Sequence, residues 1–385
     1  MFDEKYMQIA LRLAKRGIGS VEPNPVVGAV IVKNSRITGR GWHRKFGGPH
    51  AEINALEDCK KLGDSPQGAT MYITLEPCCH YAKTPPCTDA IIAAGLAKVV
   101  VATVDPSQHA NGAGLRQLRN ARIEVQTGVC EREARLLNAP FIKFATTGKC
   151  WVILKWAQTI DGKLAYAQTS HESRITSHEY GWISNEKSRK DVQKLRRRAQ
   201  AILVGVNTVI ADNPLLTTRP GQSKQLARVI LDSKLRVPLD CNLLATARDK
   251  PVFIVTTDQP IKTKPAFADE IKKRGAEIII VPILQGRCDI ESLLDELSRR
   301  GIAQLLVEGG PTVITSFLKE QLADEICIYI APKILGSSGS ASITEPMSEL
   351  ADAFVLHYVD IKRFGEDIRL TGLTEKAVKD CGILT

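Results

Sequence analysis

No stretch of this 385-residue chain is apolar for long enough to cross a bilayer. Its amino terminus, MFDEKYMQIALRLAKRG, carries acids early and reads as an amphipathic helix, so the shape of a secretory signal is missing too. There is no long repeat and no low-complexity segment, and no Lys/Arg block stands out apart from KLRRR, Lys194 to Arg198. Aromatic residues make up 5% of the chain, and no aromatic-plus-basic stripe for stacking bases is present, which counts against nucleic acid as a partner despite a net charge of +10. The expectation is a cytoplasmic protein with neither a membrane nor a nucleic acid as its partner, whose excess positive charge serves small phosphorylated ligands or solvation. In a reducing compartment ten cysteines do not read as a disulfide framework; a tight cluster among them is better explained by a metal or by catalysis.

The length suits two domains, each with its own core. Up to about residue 145, helix-like and strand-like segments alternate. An opening helix is followed by the buried-strand run VVGAVIV, the helix PHAEINALEDCKKLG and the strand ATMYITLEP. TDAIIAAGL then reads as a helix closed by Gly95, AKVVVATVD as a strand, GLRQLRNA and IEVQTGV as a helix and strand, and EREARLLNAPFIKFATTGK as a helix running into a linker. The strands are continuously apolar, which implies a sheet covered on both faces and hence an α/β sandwich. A second α/β series starts at WVILKWAQTIDGK and runs through AQAILVG, ARVILD, PVFIVTT, AEIIIVP, IAQLLVEGG and DEICIYIAPKILG. The polar step at Thr147 and Gly148 sets the expected domains as 1–146 and 147–385, and Thr169 to Arg189 reads as an extended polar loop.

The segment LEPCCHYAKTPPC, Leu75 to Cys87, gathers three cysteines and a histidine, and His50 and Glu52 lie upstream in PHAE. Zinc favours tetrahedral coordination by thiolate and imidazole, and a catalytic zinc keeps one position for water. His50, Cys78 and Cys87 would leave that position open, with Glu52 free to take a proton from the water and return it to a departing amine. The pattern approximates a zinc nucleobase-deaminase signature, His-x-Glu with a later Pro-Cys-x-x-Cys. Here Tyr81 stands at the expected second cysteine, so the third ligand is open between Cys79 and Cys87. Adjacent cysteines rarely share one tetrahedral ion, which favours Cys87. Asn24, between two prolines, has an amide suited to a pyrimidine edge, and His43 is a further candidate contact.

In the second half no Gly-x-Gly-x-x-Gly run follows a strand, so a Rossmann fingerprint is absent. The nearest dinucleotide feature is LLVEGGPTVITSFL. A strand leads through two glycines into a helix at Pro311, and the amides of Gly310, Thr312 and Val313 would suit a pyrophosphate.

Taken together, PNPVVGAVIV, GGPHAEINAL, LEPCCHYAKTPPC and AGLAKVVVATVDP resemble the deaminase half of a bifunctional bacterial riboflavin-biosynthesis family, the diaminohydroxyphosphoribosylaminopyrimidine deaminase / 5-amino-6-(5-phosphoribosylamino)uracil reductases. ILKWAQTIDGK, WISNEKSRKDVQKLR, AILVGVNTVIADNPLLTTRP, RVILDS and VEGGPT resemble its reductase half, so the likeness spans nearly the whole chain. It implies a cytidine-deaminase-like α/β/α sandwich followed by a dihydrofolate-reductase-like α/β domain. It also implies zinc on His50, Cys78 and Cys87, Glu52 as proton shuttle, NADPH as reductant, a phosphorylated pyrimidine substrate and a homo-oligomer. Nucleotide contacts would fall on Ala157, Trp182, Thr208, Asp212, Ser233 and Gly310, Pro311, Thr312, Val313, Ile314, Thr315 and Ser316. Substrate contacts would fall on Asn24, Tyr180, Arg196, Leu216, Arg219 and Glu308. Arg196 and Arg219 fit as phosphate ligands because guanidinium pairs bidentately with phosphate, and Lys155 or Glu308 would handle the proton that accompanies hydride transfer. Two places depart from the family: Ser107 and Gln108 replace its usual Asn-Pro, and the segment between Gly162 and Trp182 is longer. The rival readings are a nucleic-acid-editing zinc deaminase with a basic accessory domain, and a zinc-stabilised binding protein.

Overall fold

The computed structural model describes residues 2–81, 85–108, 110–166, 182–218, 226–336, 339–340 and 353–383. The chain divides into two compact units, Met1–Gly148 with Lys379–Thr385, and Lys149–Val378. The carboxyl end, kept with the second domain in the sequence reading, thus belongs with the first. There the buried Cys381 thiol donates to the Ala139 carbonyl at 3.4 Å, and Arg135 Nε donates to the Cys381 carbonyl at 3.0 Å.

The first unit runs α1 (Phe2–Ala14), β1 (Gly28–Lys33), β2 (Arg36–Trp42), α2 (Ala51–Lys61), β3 (Thr70–Ile73), α3 (Cys87–Ala93), β4 (Lys98–Val101), α4 (Ala113–Asn120), β5 (Glu124–Thr127), α5 (Glu131–Leu137) and α6 (Ala139–Thr147). Its sheet is ordered β2-β1-β3-β4-β5; β1 is antiparallel to both neighbours, and β3, β4 and β5 are parallel. Alternate residues of β1 enter different cores. Ala29 and Ile31 pack with Ala51 and Ala55 of α2 and Ile91 of α3, while Val30 and Val32 pack with Tyr6, Met7 and Ala10 of α1. Burial of each large apolar side chain stabilises by about 1.5–3 kcal/mol, which is why a strand covered on both faces is apolar throughout.

Strand β2 does not announce itself in the sequence, because RITGRGW has two glycines, which disfavour a strand. Close packing explains them. A Cβ on Gly41 would lie 2.2 Å from the Ala51 carbonyl oxygen, and one on Gly39 2.4 Å from that of Ala55, so the bare backbone lets α2 lie directly on β2. The expected helix over residues 131–147 is two helices. Between them the buried Asn138 accepts from the Val26 N–H at 2.9 Å and donates to the Val26 carbonyl at 3.0 Å, and Pro140 cannot supply a helical N–H.

The second unit contains β6 (Trp151–Thr159), β7 (Ala165–Tyr166), α7 (Glu186–Arg198), β8 (Ala201–Gly205), α8 (Val206–Asp212), β9 (Ala227–Leu231), α9 (Asn242–Ala245), β10 (Val252–Thr256), α10 (Asp258–Thr263), α11 (Pro265–Lys273), β11 (Glu277–Ile280), β12 (Ile283–Leu284), β13 (Arg287–Cys288), α12 (Ile290–Arg299), β14 (Gln304–Val307), α13 (Pro311–Lys319), β15 (Glu325–Ala331), β16 (Gly339–Ser340), β17 (Leu356–Phe364), β18 (Asp367–Thr374) and α14 (Glu375–Asp380). Nine strands form one sheet in the order β11-β10-β9-β8-β14-β6-β15-β18-β17. It is parallel from β11 to β15, and β18 and β17 add antiparallel at the edge. The carboxyl ends of the parallel strands therefore share one edge, where α/β sheets build their sites. Among the described residues, no helix is long and apolar enough to cross a membrane.

The contact between α2 and β2 generates a prediction. Gly41→Ala forces these elements apart and is expected to destabilise the first unit by about 1–3 kcal/mol or more, read as a lower thermal midpoint. A wild-type midpoint would show that the close packing carries little.

Candidate active sites

In the first unit, His50 is the N-cap of α2, with φ −72° and ψ 170°, and its side chain makes no cap bond. Cys78 follows Pro77 in the loop after β3, and Cys87 is the first residue of α3. His50 Nδ1 lies 3.5 Å from Cys78 Sγ and 3.3 Å from Cys87 Sγ. One donor atom from each of these three residues lies within 4.8 Å of the others, and they are the only such group of His, Cys, Asp or Glu among the described residues. Cys79 and the exposed His80 are outside it. The geometry thus brings Cys87, and not Cys79, together with His50 and Cys78.

The electrostatics suit a dication. The Cys87 thiol hydrogen-bonds the Cys78 sulfur and, with His50 beside it, holds Cys78 down at about 4 against the effect of burial. The Cys87 backbone N–H also points at that sulfur, at 3.4 Å. The same sulfur contact, together with burial, pushes the Cys87 thiol up. The two sulfurs cannot both be thiolates at neutral pH without a further positive charge, and two thiolates with one imidazole are a zinc donor set. Glu52, in the first turn of α2, is only 3% exposed. Burial pushes its carboxyl up to about 7, against the pull of His50; a neighbouring dication would draw it back toward the anion.

Beyond these residues, His43 is buried, and its Nδ1–H donates to the Pro49 carbonyl at 3.0 Å. A carbonyl only accepts, so Nε2 carries the lone pair and takes a hydrogen bond from Asn24 Nδ2 at 3.3 Å. One Asn24 N–H is thereby used inside the protein. Asn54 Nδ2 donates to the Trp42 carbonyl at 2.9 Å and the Pro49 carbonyl at 3.1 Å, fixing the turn that leads into His50. Asn54 had no signal of its own in the sequence, since a polar residue on an amphipathic helix reads as solvated.

In the second unit, Lys155 and Ala157 lie on β6, Thr208 and Asp212 on α8, Ser233 after β9, Glu308 after β14, and Gly310 caps α13. Lys155 Nζ lies 4.0 Å from Glu308 Oε2, and a Cβ on Gly310 would lie 3.4 Å from Thr208 Oγ1. The Val313 N–H, expected to be open to a pyrophosphate, donates to the Gly310 carbonyl at 3.0 Å, as does Ile314 at 3.2 Å. The N–H groups of Gly310 and Thr312 have no partner among the described residues. A Cβ on Gly309 would lie 2.9 Å from Val313 Cβ, so this glycine lets α13 start against the strand ends. Unpaired amides at a helix start beside Thr208 fit a dinucleotide phosphate. The Ser233 hydroxyl donates to Cys288 Sγ at 3.3 Å and accepts from the Cys288 N–H at 3.0 Å. Trp182 stacks under Arg189, 5.1 Å from its ring centre, with its carbonyl held by Lys333.

Arg196, expected as a phosphate ligand, is engaged with protein partners. Its Nε and Nη2 donate to Glu308 Oε1 and Oε2, each at 2.9 Å, and Nη1 donates to the Thr217 carbonyl at 3.0 Å. Three of its five N–H groups are used in this way, two of them on the Glu308 carboxylate. Burial works against ionisation of Glu308, but Arg196 and then Lys155, 4.0 Å away, hold it down at about 2. Leu216 is buried with φ +49°, a strained position for a branched side chain. Tyr180 and Arg219 lie outside the described residues.

Comparison with known proteins follows the same division. Residues 1–103 match the family described as the cytidine and deoxycytidylate deaminase zinc-binding region, and residues 150–370 match the RibD C-terminal domain. The riboflavin biosynthesis protein RibD of Aquifex aeolicus is 44% identical over 367 residues, covering 95% of this chain and 97% of that one. RibD of Escherichia coli is 39% identical over 375 residues, covering 96% and 99%. The solved structure of Acinetobacter baumannii RibD superposes with a TM-score of 0.81 at 37% identity, over 97% of this chain and 99% of that one. A Thermotoga maritima structure, described as a diaminohydroxyphosphoribosylaminopyrimidine deaminase / 5-amino-6-(5-phosphoribosylamino)uracil reductase, gives 0.80 at 35% identity with the same coverage. With matches of this extent across both units, the chain belongs to the RibD family of riboflavin-biosynthesis proteins.

Proposed function

We propose that the two units carry the family's two activities in succession: hydrolytic deamination of 2,5-diamino-6-ribosylamino-4(3H)-pyrimidinone 5′-phosphate by the first, and NADPH-dependent reduction of the ribosyl chain to ribityl by the second. The observation that carries the reading is the convergence of His50, Cys78 and Cys87 beside the buried carboxyl of Glu52. A closed structural zinc would have no use for that acid.

His50 Nδ1 and the sulfurs of Cys78 and Cys87 would hold the zinc, which when bound supplies the acidity that makes a water nucleophilic at neutral pH. Glu52 accepts the proton released as the nucleophile forms and delivers it to the departing amine, which leaves as ammonia. Its seat in the first turn of α2, two residues from His50, keeps it within reach of both positions. Asn24, held by His43, presents its remaining amide atoms to the pyrimidine edge. In the second unit NADPH supplies the hydride that opens the ribose. Glu308, locked as a carboxylate by Arg196, cannot give up a proton it does not hold. Lys155 is therefore the residue that protonates the ribose oxygen, with Glu308 orienting its ammonium. A cytoplasmic location and a homo-oligomeric assembly belong to the same reading; all ten cysteines are free of disulfides, as a reducing compartment requires.

Three outcomes are expected. Glu52→Gln should retain zinc and lose about 10²–10⁴-fold in ammonia release, while the second unit still oxidises NADPH when the deaminated pyrimidine is supplied; undiminished deamination would exclude Glu52 as the proton carrier. Metal analysis should find one zinc per chain in Cys79→Ser and none in Cys87→Ser, and the reverse pattern would reassign the third ligand. Arg196→Met leaves the buried Glu308 without its main partner and should cost about 3 kcal/mol of stability in the second unit. The sign with pH follows from the same pair. Because Glu308 is held below its unfolded value, its contribution is complete above about pH 4.3 and is lost as pH falls through about 2. Denaturant melts of wild type and Arg196→Met should therefore converge in acid, and parallel curves would contradict the assignment.

A further inference from the structure

Glu76, two residues before Cys78, is only 4% exposed. Its carboxylate does not contribute to the metal cluster. Oε2 accepts from the N–H groups of Asp105 at 3.2 Å and Gly112 at 2.9 Å, and Oε1 from those of Gly114 at 2.9 Å and Leu115 at 3.4 Å. Its own N–H donates to the Thr103 carbonyl at 3.0 Å. One side chain thus gathers both ends of the loop that leaves β4 and enters α4. The approach is tight, since a Cβ on Gly114 would lie 2.3 Å from the Pro77 carbonyl oxygen.

A second link runs from the other side of α4. Gln117 accepts from Thr88 Oγ1 at 2.8 Å and donates to Asp89 at 2.8 Å, while the Thr88 N–H donates to the Cys78 carbonyl at 3.2 Å. The start of α4 is therefore tied to the Cys78 loop, and its next turn to the start of α3, which carries Cys87. Strands β3 and β4 are parallel neighbours, so the chain running from β4 to Asp105 leaves the sheet at the same edge as Cys78.

We infer that Glu76 is a positioning residue for deamination: it holds Asp105 and Gly112, at the two ends of the connection from β4 to α4, against the Cys78 loop, making these ends the substrate-facing wall of the site. The inference rests on the deamination proposed for the first unit. A glutamine cannot replace Glu76, because its amide nitrogen would face N–H groups that need an acceptor. The wall would loosen while the three metal ligands keep their own backbone bonds.

The test uses the full chain as Glu76→Gln, with zinc content, deamination kinetics and NADPH oxidation measured on one preparation. The expected result is a KM for the diaminopyrimidine substrate raised about 10- to 100-fold, kcat within about threefold of wild type, one zinc per chain and unchanged NADPH oxidation when the deaminated pyrimidine is supplied. Amide exchange should accelerate over residues 105–115. Gly114→Ala displaces the same loop with Glu76 intact and should reproduce the KM rise, which decides the matter if Glu76→Gln does not fold. A zinc-loaded variant with wild-type KM, or one that loses zinc, overturns the inference. A wild-type chain that releases no ammonia refutes the deamination reading itself.

Discussion

An imidazole nitrogen within 3.5 Å of two thiol sulfurs, all three atoms within 4.8 Å of one another, leaves little room for their charges unless a cation shares them. Much of the first unit serves that meeting. The three ligands come from three separate element ends, so each must be aimed independently. Helix α2 is brought down onto β2 by two glycines, and the turn before His50 is pinned by Asn54 and His43. Cys78 leaves the sheet at the end of β3, and α3 opens at Cys87 with its first N–H turned to the Cys78 sulfur. The buried position of Glu52 follows from the same packing, because the first turn of α2 carries both metal ligand and acid.

The second unit solves a different electrostatic problem. A carboxylate buried at the end of β14 is costly unless a cation shares its site, and Arg196 supplies a bidentate partner from α7. Lys155 approaches the same carboxylate from β6 and lies 5.9 Å from the ring centre of Tyr329. Tyr329 in turn donates to Asp191 at 2.9 Å, and Asp191 pairs with Arg369. Lys155, Glu308 and Arg196 thus form one cluster of alternating charge, and Asp191, between the Tyr329 hydroxyl and Arg369, anchors a second.

Much of this was legible in the sequence, and where it was not the reason is physical. Buried strands such as Ala201–Gly205 and Gln304–Val307 are continuous apolar runs, and the expected elements follow them. Strand β2 escaped because its glycines report on a helix packed against it, which is non-local information. Strand β17 escaped because it is an exposed edge with no apolar face. The break at Asn138 depends on a partner, Val26, 112 residues away. At the sites, His50, Cys78 and Glu52 could be read from motif and spacing. Cys87 could be favoured over Cys79 because adjacent cysteines rarely share one ion and through family likeness, although the intervening residues hide the return of the chain. Arg196 shows its charge in the sequence but not its pairing with Glu308, 112 residues away. Glu76 gave no signal, because a buried acid held by backbone amides looks like any other glutamate in a string of letters.

The central claim is that the first unit holds a zinc with three protein ligands and one open position beside Glu52. Zinc-edge X-ray absorption on the metal-loaded full chain tests this most directly. The account predicts one zinc with two sulfur neighbours at about 2.3 Å, one imidazole nitrogen at about 2.0–2.1 Å and one exchangeable oxygen, the oxygen being displaced by a substrate analogue. A shell closed by four protein ligands, or one with a single sulfur, would contradict it.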